Sequence, residues 1–188
     1  MRFSTMAPLR RCLTPGVAAQ ALLLAALISG WQRAIADHTL GLCCTVCAAI
    51  FLVHEQGSAE TDATSTQIKG ADVLCECVMF GSDCLAEGSA RRRALDLVAV
   101  ALNGVNAANF LRARWRGGEW WLLCEAANSA TDLCACWLEA SGLESERTED
   151  ACLLILACIA ALLLADEIHS SASGARGDRS RVDDKKRS

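Results

Sequence analysis

Tyrosine is absent from this chain, and proline occurs only twice in its 188 residues. Proline interrupts a helix by removing a donor and clashing with the preceding turn, so its scarcity leaves long stretches free to be helical. Net positive charge is missing as well. The formal balance is −4, which argues against a nucleic-acid surface built from clustered, unpaired Lys and Arg. Recognisable catalytic patterns are also lacking. There is no glycine-rich phosphate loop, no HExxH zinc pair and no GxSxG nucleophile turn, so the chain reads as a non-enzyme without a cofactor. Period-two alternation of apolar and polar residues is nowhere sustained, while Leu and Ala dominate, so the fold class is all-α.

What the chain has in excess is apolar surface and sulfur. Hydrophobic residues make up 53% of it and the mean hydropathy is positive, high for a soluble domain of this size. The twelve cysteines do not look like a secreted disulfide framework. Cys43, Cys44 and Cys47 sit inside one apolar run and Cys152 and Cys158 inside another, where a thiol behaves as a small hydrophobe. Cys44-Thr-Val-Cys47 has the CxxC spacing, yet no second CxxC and no histidine at metal-ligand spacing accompany it. The CxC pairs Cys75/Cys77 and Cys134/Cys136 are a weaker signal, and packing is the expected role of the set. His38, His54 and His169 flank apolar runs, which suits interfacial placement better than a shared metal.

Three stretches are apolar enough to suggest a bilayer. From Cys12 to Gln32 no residue is charged, and Arg2, Arg10 and Arg11 precede the run, so residues 1–33 read as a secretory signal or as an uncleaved anchor. The second run is Thr39–Val53, between two histidines, and the third is Ala151–Ala165, clamped by Glu149-Asp150 and Asp166-Glu167. An untilted crossing needs about 20 apolar residues, so both of these fall short and must thin the membrane, borrow their flanks or enter a protein core. A soluble helical bundle is the competing reading.

Between these runs lie helices with narrow polar seams. Asp72, Glu76, Asp83 and Glu87 fall within a sector of about 60° at 100° per residue, one acidic stripe on an apolar cylinder. Glu125, Asp132 and Glu139 recur every seventh residue, and Asp96, Asn103 and Asn106 share one side of their helix. Such a helix either lies in the membrane interface as a wedge or packs in a bundle with its seam inward. Arg91–Arg93 and Arg112, Arg114 and Arg116 bracket Ala94–Leu111; basic residues gather on the cytosolic side, so this segment is expected not to cross. The tail is polar and basic-leaning, which predicts a disordered, cytosolic segment over 168–188. The expectation is an all-α, membrane-associated bundle of short hydrophobic and amphipathic helices over 34–167, followed by that tail.

The order of "CVMFGSDCLAEGSARRR", a helix containing "ATDLCACWLEASGL", a short apolar C-terminal helix and a tail ending "DDKKRS" resembles the peroxin-eleven family of peroxisomal membrane proteins. The resemblance runs from about Ala34 to the C-terminus. Asp132-Leu133 and Gly142-Leu143 match steps of its pattern, and Lys185 and Lys186 match a cytosolic dilysine that binds coat protein in some members. It implies a non-enzymatic protein of the peroxisomal membrane that inserts amphipathic helices into the lipid bilayer, self-associates and promotes elongation before division. Coat or division machinery would then be met at the cytosolic tail, and Asp72, Glu76, Asp83 and Glu87 would mark the wedge. The family's polar N-terminal amphipathic helix and the serine-containing pattern of its last apolar helix are not found here. Two alternatives stand beside it. One is a resident of the endoplasmic-reticulum membrane retrieved through Lys185 and Lys186, and the other is a membrane thiol oxidoreductase using Cys44 and Cys47.

Overall fold

A computed structural model describes the backbone of residues 14–56, 63–116 and 119–187, and the side chains within these except those of 55–56, 63–66, 68 and 172–187. Six helices follow one another, and no strand occurs among the described residues: α1 (Pro15–Trp31), α2 (Asp37–Gln56), α3 (Ala63–Asp83), α4 (Ala90–Trp115), α5 (Trp121–Ser141) and α6 (Glu146–Arg187). The stretch expected to be a disordered tail falls within the range of α6. Its side chains from 172 on, Lys185 and Lys186 among them, lie outside the described residues.

Local chemistry sets the helix ends. Thr14 caps α1 by accepting from the Val17 N–H, with Pro15 at the first helical position, where its missing donor costs nothing. Ser89 caps α4 through the Arg92 N–H. Gly142 stops α5 in the left-handed conformation at φ 66°, which favours glycine. At the start of α6, Ser145 and Thr148 exchange backbone-to-hydroxyl bonds, a reciprocal cap.

Each helix packs against the next in sequence, and α6 packs back on α1, so the six close a ring. Short connections force neighbours to run antiparallel. At the first end Thr14, where α1 starts, donates to Glu167 of α6 at 3.4 Å, and Trp120, where α5 starts, reaches Asp166 at 3.3 Å. At the second end Arg33, just past α1, pairs with Glu149 at 2.9 Å and Asp150 at 3.2 Å near the start of α6. The apolar packing is confined to seams: Leu27, Leu153 and Ala160 between α1 and α6, and Phe110, Leu122 and Ala126 between α4 and α5.

Three of the six helices are long and apolar enough to cross a membrane: Asp37–His54, Ala90–Trp115 and Glu146–Ser171. The two runs that look too short in sequence gain their length because charged and polar flanks join the helix. Ala90–Trp115, the segment expected from its flanking arginines not to cross, is by length and composition one of the three. Its polar residues Asp96, Asn103 and Asn106 are buried against neighbouring helices and leave an apolar outer face.

Candidate functional site

The distribution of polarity is inverted with respect to a water-soluble bundle. Leu42, Val46, Val105, Leu111, Leu154 and Leu162 face outward, whereas Gln20, Lys69, Asp96, Asn103, Ser129 and Asp132 are buried. All five tryptophans sit at or near helix ends: Trp31, Trp115, Trp120 and Trp121 at termini, and Trp137 one turn from the end of α5. Amphipathic indole rings prefer the two headgroup levels of a bilayer, and a 21-residue helix such as α3 or α5 is about 31 Å long, the thickness of the hydrocarbon layer.

The ring encloses a cavity of about 680 Å³ to which all six helices contribute. Its lining follows heptad spacing. Lys69, Asp72, Glu76, Met79 and Asp83 come from α3, and Glu125, Asn128, Asp132, Ala135 and Glu139 come from α5, alternating steps of three and four residues. That alternation keeps one helix face turned to the axis over its whole length. Among the described residues, twelve carboxyl-bearing ones and three cationic ones line the space and its rim. Facing the acidic helices, α1 and α6 present Leu23, Leu27, Leu153, Leu156, Ala160 and Leu163, an apolar wall.

Charge is layered along the axis. Toward the first end the Lys69 ammonium lies 3.1 Å from Glu125 Oε1, with the rings of Trp121 and Phe51 centred 5.0 and 5.7 Å away. Toward the second end Arg92 pairs with Glu139 and stands 3.8 Å from Asp83, while Ser82 donates to Asp96. Gly41 of α2 fits against this end without a side chain; a Cβ there would come 2.6 Å from the Asp83 carboxylate. Between the two ends stand Asp72, Glu76 and Asp132, the last accepting from Asn128 Nδ2 at 3.0 Å. At the rim, in the α5–α6 connection, partial burial pushes the Glu144 carboxyl above its ordinary range; Glu139 and Glu149 add to the rise and Arg92 opposes it.

Of the acidic stripe expected from the sequence, Asp72, Glu76 and Asp83 line this cavity from α3, whereas α3 ends at Asp83 and Glu87 borders the cavity from the α3–α4 connection, where it is exposed. Of the two placements open to such a stripe, the inward one is found. Cys44 also lines the cavity, whereas Cys47 is buried at 1% exposure; both are free thiols. Among the described residues no group of three or more His, Cys, Asp or Glu is arranged to hold a metal ion. Sequence reasoning misses Lys69, Arg92 and Gln20. Lys69 has a signal, since it stands three residues before Asp72 on the same face. Gln20 has none, being a lone polar residue in an uncharged run. Comparison of the chain with protein families, with curated proteins and with solved structures gave no match, so the chemistry of the cavity itself carries the functional reading.

Proposed function

We propose that this chain is an integral membrane protein whose six-helix ring takes up cationic solutes in its acid-lined interior and passes them between its two ends. One observation carries the reading: among the described residues, twelve carboxyl-bearing ones against three cationic ones line the cavity and its rim, where Asp37, Glu87, Glu144 and Glu146 are exposed, while large apolar side chains face outward. Ionisable groups at membrane depth are costly and are kept where they serve a pathway or a binding site. An excess of one sign inside low-dielectric walls concentrates ions of the opposite sign. The test is uptake of radiolabelled methylammonium and, separately, of chloride into liposomes containing the purified chain. The reading expects methylammonium uptake well above protein-free liposomes and none for chloride. Equal permeability to both, or to neither, overturns it.

The peroxisomal membrane, with the C-terminus in the cytosol, is the residence we propose, on the sequence resemblance alone. Replacing Lys185 and Lys186 with serine in a chain tagged internally leaves it on peroxisomes under this reading. Wild-type residence in the endoplasmic reticulum, lost in the double variant, favours retrieval instead. Membrane elongation by a wedge rests on the same resemblance. It draws no support from a stripe of which Asp72, Glu76 and Asp83 line the cavity.

A further inference from the structure

The layers of the cavity differ in how their charge is balanced. At each end the structure already holds a cation: Lys69 against Glu125, Trp121 and Phe51, and Arg92 between Asp83 and Glu139. Among the described residues Lys69, Arg92 and Arg93 are the only cationic residues of the lining; Lys69 stands one helical turn before Asp72, whereas Glu76 and Asp132 lie seven residues from Lys69 and from the Arg92 partner Glu139. The layer of Glu76 and Asp132 has carboxyl groups and no cation of its own among the described residues.

A second, independent observation points to a missing partner. Gln20 of α1 lines the cavity at 6% exposure, and its Oε1 oxygen has no hydrogen-bond partner. A buried amide oxygen left unpaired costs free energy unless a donor reaches it. A ligand that carries N–H donors and positive charge would satisfy both Gln20 and the carboxyl groups.

The spacing narrows the ligand class. With a rise of about 1.5 Å per residue, Asp72 and Glu76 stand about 6 Å apart along the axis. Glu76 to Asp83, and each step from Glu125 to Asp132 to Glu139, spans about 10.5 Å. The acids are therefore strung along an axis of roughly 20 Å, with no cluster of three or more fit for a metal ion among the described residues. A compact divalent ion would meet too few of them at once. An alkyl chain bearing ammonium groups three or four methylenes apart places its charges about one helical turn (~5–6 Å) apart, in step with that column. Its methylenes would lie against Leu23, Leu27, Leu153 and Leu156 on the opposite wall.

We infer that the cavity is a binding site for a linear aliphatic polyamine. Its ammonium groups are held by Asp72, Glu76 and Asp132 and by the Gln20 amide oxygen, and its chain rests on the α1–α6 leucines. The inference rests on the cation reading above and names the substrate class for the same site.

The probe is spermine, titrated by calorimetry into the purified full-length chain in lipid nanodiscs, beside n-propylamine and magnesium at matched ionic strength. Spermine should bind at least 100-fold more tightly than either. Glu76→Gln and Asp132→Asn should each weaken it at least tenfold, and Gln20→Leu several-fold, in variants that keep the wild-type helical circular dichroism and elution volume. Should the carboxyl variants fail to fold, Gln20→Leu and Gln20→Glu decide, the second strengthening binding by adding a charge. Spermine no tighter than magnesium, or binding indifferent to Glu76, Asp132 and Gln20, overturns the inference. Methylammonium flux without preferential spermine binding sinks the polyamine and leaves the transport reading. Spermine binding without any cation flux keeps the site and sinks transport.

Discussion

Lys69 and Glu125 meet across the ring, Nζ to Oε1 at 3.1 Å, with side chains only 9% and 13% exposed. They belong to α3 and α5, which are not neighbours in the ring, so the pair ties the two acidic helices across the cavity at its first end. Removing one member of a buried pair strands the other's charge, which costs about 3–5 kcal/mol, whereas replacing both with apolar residues is often neutral. Lys69→Met alone should therefore lower unfolding stability by about 3–5 kcal/mol, and Lys69→Met/Glu125→Leu should recover most of it. Chemical denaturation in detergent micelles measures both. Equal losses in the single and double variants would show that the ion pair is not what holds this end.

The cysteines report whether lipid covers the outer face. Cys77, Cys84, Cys134 and Cys158 are all exposed, but Cys84 lies in the α3–α4 turn while the others lie within helices. In native membranes a membrane-impermeant maleimide should modify Cys84 from one side and leave Cys77, Cys134 and Cys158 unreacted. All should react once detergent and denaturant remove the bilayer. Single-cysteine chains read by mass spectrometry make the comparison. Ready labelling of Cys158 in intact membranes would place the ring in water.

Phe110 is fully buried at the α4–α5 seam, beside Leu122 and Ala126. Truncating a buried phenylalanine removes its packing and leaves a void, a cost of about 3–5 kcal/mol. Phe110→Ala should lower the thermal midpoint sharply, while Leu111→Ala, one residue on and half exposed, should change it little. Similar midpoints for the two would mean that the seam adds nothing to stability.

The helices and the narrow polar seams along them are legible in the sequence. Glu125, Asp132 and Glu139 at intervals of seven, and Asp72, Glu76 and Asp83 on one face, mark such seams by their spacing alone. What the period does not reveal is which neighbour a seam faces, because lipid headgroups and a polar cavity satisfy the same stripe. The closing contact of α6 on α1 depends on Leu27, Leu153 and Ala160, which look like any other apolar residues of their runs. The fourth helix shows the same limit. Arginines at both its ends look alike in the sequence, but the fold turns Arg92 inward against Glu139 and leaves Leu97, Val98 and Val105 exposed on the outer face.

The pH dependence of cation uptake follows from who competes for the carboxyl groups. Aliphatic amines keep their protons until about pH 10, so a titration between about pH 5 and about pH 7.5 changes the protein and not the ligand's terminal groups. Around the central acids stand Lys69 and Asp83 on α3, Glu125 and Glu139 on α5, Asp37 and Cys44 on α2, Arg92 and Asp96 on α4, and Glu149 and Cys152 on α6; α1 contributes the neutral Gln20. Carboxylates dominate that set, and a proton and a cationic ligand compete for each of them. Each proton retained removes one negative charge from the ligand's path. Acidification should therefore weaken spermine binding and slow methylammonium uptake together, with protons released on binding. In Asp132→Asn, which has no proton to lose there, both slopes should flatten. Calorimetry in buffers of different ionisation enthalpy counts the released protons. Binding that strengthens on acidification would mean that the cavity selects anions through Lys69 and Arg92.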